Sequence, residues 1–129
     1  MEGELIKLNP ELMALLSKVG GADVVPFKQE IFVLNEYIAG TGYCESIQEV
    51  MKYLDAGMQL TLRRHPENEV DEFAIGIWFK DTRIGWVPIK DNLVISRLMD
   101  AGKLFTCKVV SVKFKEKWPK IDVNIYMID

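Results

Sequence analysis

Leu60 to Pro88 is the stretch that leaves this chain the fewest choices. Phe73, Ile75, Ile77 and Phe79 alternate with Ala74, Gly76 and Trp78, the two-residue period of a strand with one buried face. Lys80-Asp81-Thr82-Arg83 follows as a turn, and Ile84 to Pro88 as the returning strand of a hairpin. Upstream, Leu60-Thr61-Leu62-Arg63-Arg64 reads as another strand, joined to the hairpin by a polar corner from His65 to Glu72. A polar loop held between two rigid strands is where binding groups tend to be displayed, so the corner with Asn68 and Asp71 is a candidate site.

The other elements follow from shorter signals. Asn9 as N-cap, Pro10 at the first helical position, Leu12, Leu15, Leu16 and Val19 on one face and a Gly20-Gly21 stop predict a helix within residues 5–21. Its apolar face suits either its own domain or a second copy or partner, and spacing does not separate these. Ala22 to Lys28 is a connector. Gln29 to Ala39 predicts a strand with Ile31, Val33 and either Tyr37 or Ile38 inward, ending in Gly40-Thr41-Gly42-Tyr43. Those glycines let the backbone approach a ligand, but the third glycine and the βαβ setting of a dinucleotide fingerprint are missing. Ser46-Ile47-Gln48-Glu49 reads as a capping box before Val50, Met51 and Leu54, with Gly57 as the stop. Asp91 or Asn92 caps a second short helix with Val94, Ile95, Leu98 and Met99 inward, and Gly102 ends it. The Asp-Ala-Gly triplets at 55–57 and 100–102 read as shared C-cap chemistry. Leu104 to Lys115 and Ile121 to Ile128 are the closing strands, joined by Glu116 to Lys120. About six short strands and two short helices predict a β-dominated α+β domain over residues 30–129, its sheet small and curved or closed, with 1–29 a helical extension.

Composition bounds function mainly by exclusion. A chain of 129 residues, 49% apolar, sustains one compact core. Sixteen basic against nineteen acidic residues leave a net charge of −3, which indicates no particular partner. Two cysteines and one histidine exclude most metal sites, so no metal or other cofactor is expected, and Cys44 and Cys107 are read as free thiols. No apolar run approaches the roughly 20 residues of a membrane span and no leader pattern opens the chain, so the expectation is a cytoplasmic protein away from membranes. No nucleophile–base pair or phosphate loop can be assembled, and no enzyme is expected.

Several separated motifs then agree in order and spacing. Ile38-Ala39-Gly40-Thr41-Gly42-Tyr43, Leu60 to Arg64, Pro66 to Ile75 with its N-x-x-D-x-x-A-I pattern, and Ile84-Gly85-Trp86-Val87-Pro88 together resemble the HIRAN domain over roughly residues 30–115. The resemblance implies an OB- or SH3-like β-barrel with no catalytic centre. In that family's better understood members the domain accompanies Snf2-type translocases at stalled replication forks and holds an unpaired DNA 3′ end; similar chains also occur alone or beside nucleases in bacteria. Carried over, the resemblance implies that Tyr43 stacks on a base and that Asn68 and Asp71 hydrogen-bond the terminal nucleotide, Asp71 at its sugar hydroxyl. Gly40 and Thr41 would line the pocket with backbone groups. Where the end-binding eukaryotic members resemble Arg-Tyr-Tyr, this chain has Gly42-Tyr43-Cys44, so phosphate attraction must come from elsewhere or be lost.

Each of these residues also has a purely structural reading. Tyr43 suits the rim of a barrel, and Asn68 and Asp71 suit Asx turns. Arg63 and Arg64 face opposite ways on a strand, so at most one serves a site. Lys113, with Lys108, Lys115, Lys117 and Lys120, offers either a phosphate track or protection of a sheet edge. Trp118 suits a base or the N-terminal helix, Trp86 the core or rim, and His65 a loop. The leading expectation is a non-catalytic module for single-stranded DNA in repair or replication, working with a helicase, translocase or nuclease. The alternative is a protein-interaction adaptor, docking or self-associating through its barrel or the Asn9–Val19 helix.

Overall fold

The computed structural model describes residues 29–115 and 118–129; the helix expected over residues 5–21 lies outside them. Six strands form, β1 (Glu30–Tyr37), β2 (Gln59–Arg64), β3 (Ile75–Phe79), β4 (Thr82–Trp86), β5 (Leu104–Lys115) and β6 (Trp118–Ile128). A 3-10 turn (Thr41–Tyr43) and the helices α1 (Ile47–Met51) and α2 (Ile89–Asp100) interrupt them. The sheet is antiparallel throughout, in the order β1-β6-β5-β2-β3-β4.

The two outer strands meet. Just past β1, Ala39 exchanges both backbone hydrogen bonds with Trp86 of β4, each 2.8 Å long. This seam closes the sheet on itself, and Gly85 permits it: a Cβ there would stand 2.6 Å from the Ala39 carbonyl oxygen and press into the Ile38 side chain. Inside lie Leu60, Leu62, Ile75, Ile77, Ile84, Val109, Ile121, Val123 and Ile125, with Ile47, Val50 and Met51 of α1 and Ile95 of α2 covering the ends. Each such side chain contributes about 1.5–3 kcal/mol through removal from water. Cys107 belongs to this core, and burial pushes its thiol up to about 12, so it is inert.

Several local expectations are corrected. β3 starts at Ile75, leaving Phe73 in the corner, and the hairpin turn contracts to Lys80-Asp81, with Lys80 in the left-handed region at φ 54°. On β1, Ile31 and Val33 are exposed rather than inward: the first four residues of the strand are all exposed, and past the bulge between Phe32 and Leu34 it is Leu34 and Glu36 that are half-buried. Ser46 makes no side-chain cap: at φ −96° and ψ 16° it lacks the extended backbone that aims an N-cap hydroxyl at the helix, and Glu49 pairs with Lys52 instead. Helix α2 starts from Pro88 rather than from Asp91 or Asn92, and Val94 faces outward while Asn92 and Ser96 are buried. Gly102 stops α2 as expected, whereas Gly57 lies in a turn well past the end of α1. β6 begins at Trp118; β1 pairs with β6 only from Asp122 onward and β2 meets β5 only at Cys107 and Lys108, so the hairpin tip with Lys113 and Lys120 runs past both neighbouring strands.

Candidate functional site

The seam displays the residues that follow it. Gly40, at φ 74°, reverses the chain in a conformation that a side chain strains, and a Cβ there would approach Trp86 to 3.3 Å. The 3-10 turn then lifts Tyr43 clear of the surface, 93% exposed. Tyr43 borders two concavities. One is an open groove of about 680 Å³, walled by Tyr37, Ile38, Gly40 to Tyr43, Pro119 and Lys120, within the size range of small-molecule sites. The other is a polar cleft of about 40 Å³ bounded by Cys44, Arg83, Gly85 and Trp86. Nothing stands within 4 Å of where a Gly42 Cβ would project, so the absent arginine leaves open space.

Thr41 does line the groove, but its buried hydroxyl donates to the Pro119 carbonyl at 3.1 Å and ties the turn to β6. The acidic corner is committed to the fold. The Asn68 side-chain oxygen accepts the N–H groups of Val70 and Asp71 at 2.9 and 3.0 Å. Asp71 accepts the Phe73 N–H on one carboxylate oxygen at 2.9 Å and the buried Asn92 amide on the other at 2.7 Å. Neither residue lines either concavity. The corner approaches the seam at His65, whose ring lies 5.6 Å from that of Trp86.

The two arginines part as strand alternation requires. Arg64 is a bolt: it donates to both carboxylate oxygens of Asp100 and to the carbonyls of Ala74 and Glu72, and it holds the Asp100 carboxyl below its ordinary range. That takes Arg64 out of the candidate set. Arg63 stays on the outer face with its guanidinium over Trp78. Lys113 is exposed opposite Lys120 near the tip of the β5–β6 hairpin and does not line the groove, whereas Lys120 does. Lys108 pairs with Glu30 at 2.6 Å, which spends its charge. The Trp118 side chain lies outside the described residues. Sequence reasoning did not single out Trp86, Arg83 or Tyr37 as neighbours of Tyr43, and it weighed Lys120 only as part of a lysine track; the structure places all four on the walls of the two concavities.

One titrating pair lies between β1 and α2. The Asp91 carboxyl is pushed up by its hydrogen bond with Glu36 and by burial, and its Oδ2 is buried with no partner among the described residues. Burial also pushes Glu36 up, but Asp91, the Tyr37 N–H at 3.1 Å and Lys90 at 3.2 Å outweigh it and leave Glu36 lowered. A raised folded-state Asp91 stabilises below the ordinary aspartate pKa and loses that contribution as pH rises through the raised value; the lowered Glu36 acts with the opposite sign. Asp91→Asn, permanently uncharged, should therefore have the higher denaturation midpoint at neutral pH, with its advantage shrinking as pH falls through the raised Asp91 value and gone below the ordinary aspartate pKa of about 4. Parallel midpoints across the titration would contradict this.

An antiparallel β domain of the OB-like kind, closed at a seam where an exposed aromatic overlooks an open groove, is the class these elements define. The family model for the HIRAN domain matches residues 31–127, and the chain belongs to the HIRAN family, whose domains bind DNA. A crystal structure of a protein from Lactobacillus plantarum is similar at a TM-score of 0.73, with 19% identity over 80% of this chain and 99% of that one. The HIRAN domain of human HLTF is similar at 0.62, with 14% identity over 78% of each chain. Both likenesses concern the fold. No curated protein matches the chain.

Proposed function

We propose that this chain is a non-catalytic domain that grips single-stranded DNA at a free 3′ end, in a repair or replication setting and beside a separate translocase or nuclease. The observation that carries the reading is Tyr43, almost wholly exposed at an open groove that Lys120 also lines. An end-gripping site needs a π-face for a base and a cation for phosphate. Tyr43 supplies the first. Lys120 and, across the small cleft, Arg83 supply positive charge where the family's arginine is missing. Asp71 acts chiefly by holding the corner against α2, with both carboxylate oxygens already occupied.

The test is binding of fluorescent oligonucleotides with free and blocked 3′ ends at low salt. Because Tyr43 packs on little, Tyr43→Ala should leave stability alone and weaken binding about 5- to 150-fold, the stacking of one base being worth roughly 1–3 kcal/mol. Unchanged affinity in that variant would remove the groove from the account, and equal affinity for blocked ends would remove end recognition. A second reading, a protein-interaction adaptor, is favoured by the outward apolar residues Ile89, Leu93 and Val94 of α2. It requires that no strand bind at all.

A further inference from the structure

Beyond the groove, the outer face of β2, β3 and β4 carries an ordered set of side chains. Leu62, Ile77 and Ile84 are buried; Arg63 and Trp78 stand on the opposite side, and the register shift between β3 and β4, which pairs Trp78 with Arg83 and Gly76 with Trp86, brings Arg83 and Trp86 to that side too. Arg63 lies over the Trp78 ring and Arg83 over the Trp86 ring, each with its guanidinium carbon 4.4 Å from the ring centroid. Gly76 leaves the space for this: a Cβ there would come within 2.9 Å of Trp78 Nε1 and 3.1 Å of Arg83 Cδ. Guanidinium and indole thus alternate across three strands, from Arg63 to Trp86.

The charges in this row are unspent. Arg64, Lys52, Lys90 and Lys108 each have a carboxylate partner, whereas Arg63 and Arg83 have none among the described residues. A guanidinium laid on an indole is held by a cation–π contact while its N–H edge stays free for an anion. Ordering the side chain before a ligand arrives lowers the entropy lost on binding. Flat cations and π-faces in alternation match a single nucleic-acid strand, which presents phosphates and bases in alternation. The row is also continuous with the groove, since Trp86 and Arg83 bound the small cleft beside Tyr43.

We propose that the row Arg63–Trp78–Arg83–Trp86 is a second binding surface, on which the strand leading away from the held end is laid. This rests on the end-gripping reading above, and the experiment separates the two. Binding of a dinucleotide with a free 3′ end is compared with that of an oligothymidine of about ten nucleotides, a length within the site sizes of OB-type folds. Wild type should bind the longer strand more tightly. Trp78→Ala should weaken the longer strand about tenfold and leave the dinucleotide unchanged, and Arg63→Gln should flatten the salt dependence of the longer strand by about 0.7 in log–log slope, one phosphate contact. Circular dichroism and the denaturation midpoint establish that both variants remain folded. Equal affinity of wild type for the two lengths, or equal losses for both in Trp78→Ala, would overturn the second surface while leaving the end grip standing. Tight binding of the longer strand that falls in Trp78→Ala, with no dinucleotide binding, would support the row and sink the end grip. Displacement of the longer strand by polyglutamate as readily as by unlabelled oligothymidine would show that the row takes acidic chains in general, and would overturn a nucleic-acid occupant.

Discussion

Gly85→Ala is expected to destabilise the domain by about 3 kcal/mol, the upper range for forcing an extra carbon into a packed interior. The new Cβ would stand 2.6 Å from the Ala39 carbonyl oxygen, a backbone atom that cannot swing aside. Relief means opening the seam, which breaks the two 2.8 Å hydrogen bonds between Ala39 and Trp86. A small gain from a less flexible unfolded chain, about 0.4–1 kcal/mol, offsets only part of this. Urea denaturation should show a lower midpoint at an unchanged slope, and amide exchange at Ala39 and Trp86 should accelerate ahead of the core strands. Gly42→Ala, where nothing lies within 4 Å, is the control and should stay within about 0.5 kcal/mol of wild type. Equal midpoints for the two variants would show that the seam does not hold the fold.

The second large effect is expected at the corner. Asp71→Ala removes both the acceptor for the Phe73 N–H and that for the Asn92 amide, and Asn92 is only 3% exposed, so water cannot take over. Losing charge-assisted hydrogen bonds and orphaning a buried amide should together cost about 3 kcal/mol. Asp71→Asn is a different substitution. It keeps an oxygen for Phe73, and Asn92 can turn its own amide to present oxygen to the new NH₂ group, so the cost should fall to about 1 kcal/mol. Thermal denaturation of the two variants checks the contrast; equal losses would mean that the carboxylate charge, not its geometry, holds the corner. The same contrast bears on binding, because weakened strand affinity in Asp71→Ala reports a loosened corner, while Asp71→Asn isolates direct contact with a ligand.

The sheet was largely legible because a strand's side chains alternate whatever surrounds them: Leu60 and Leu62, then Ile75 and Ile77, mark inner faces without reference to any partner. The HIRAN motifs were legible for a related reason, since each is a local requirement for a turn, a tight glycine or an Asx corner. The capping box at Ser46 misled because a matching residue pattern is satisfied only if the backbone before it is extended, and here the 3-10 turn and its exit leave it otherwise. At β1 the first four residues are all exposed, and past the bulge it is Leu34 and Glu36 that are half-buried.

The existence of the six strands follows from nearest neighbours along the chain, and residue order alone was enough for it. Pairings between distant residues were decided by the folded sheet: Ala39 against Trp86, Asp71 against Asn92, Arg64 against Asp100, Arg63 across Trp78. Those contacts depend on strand register and on closure of the sheet, which no short window of sequence encodes. They determine which polar groups are consumed by the fold and which are left for a ligand.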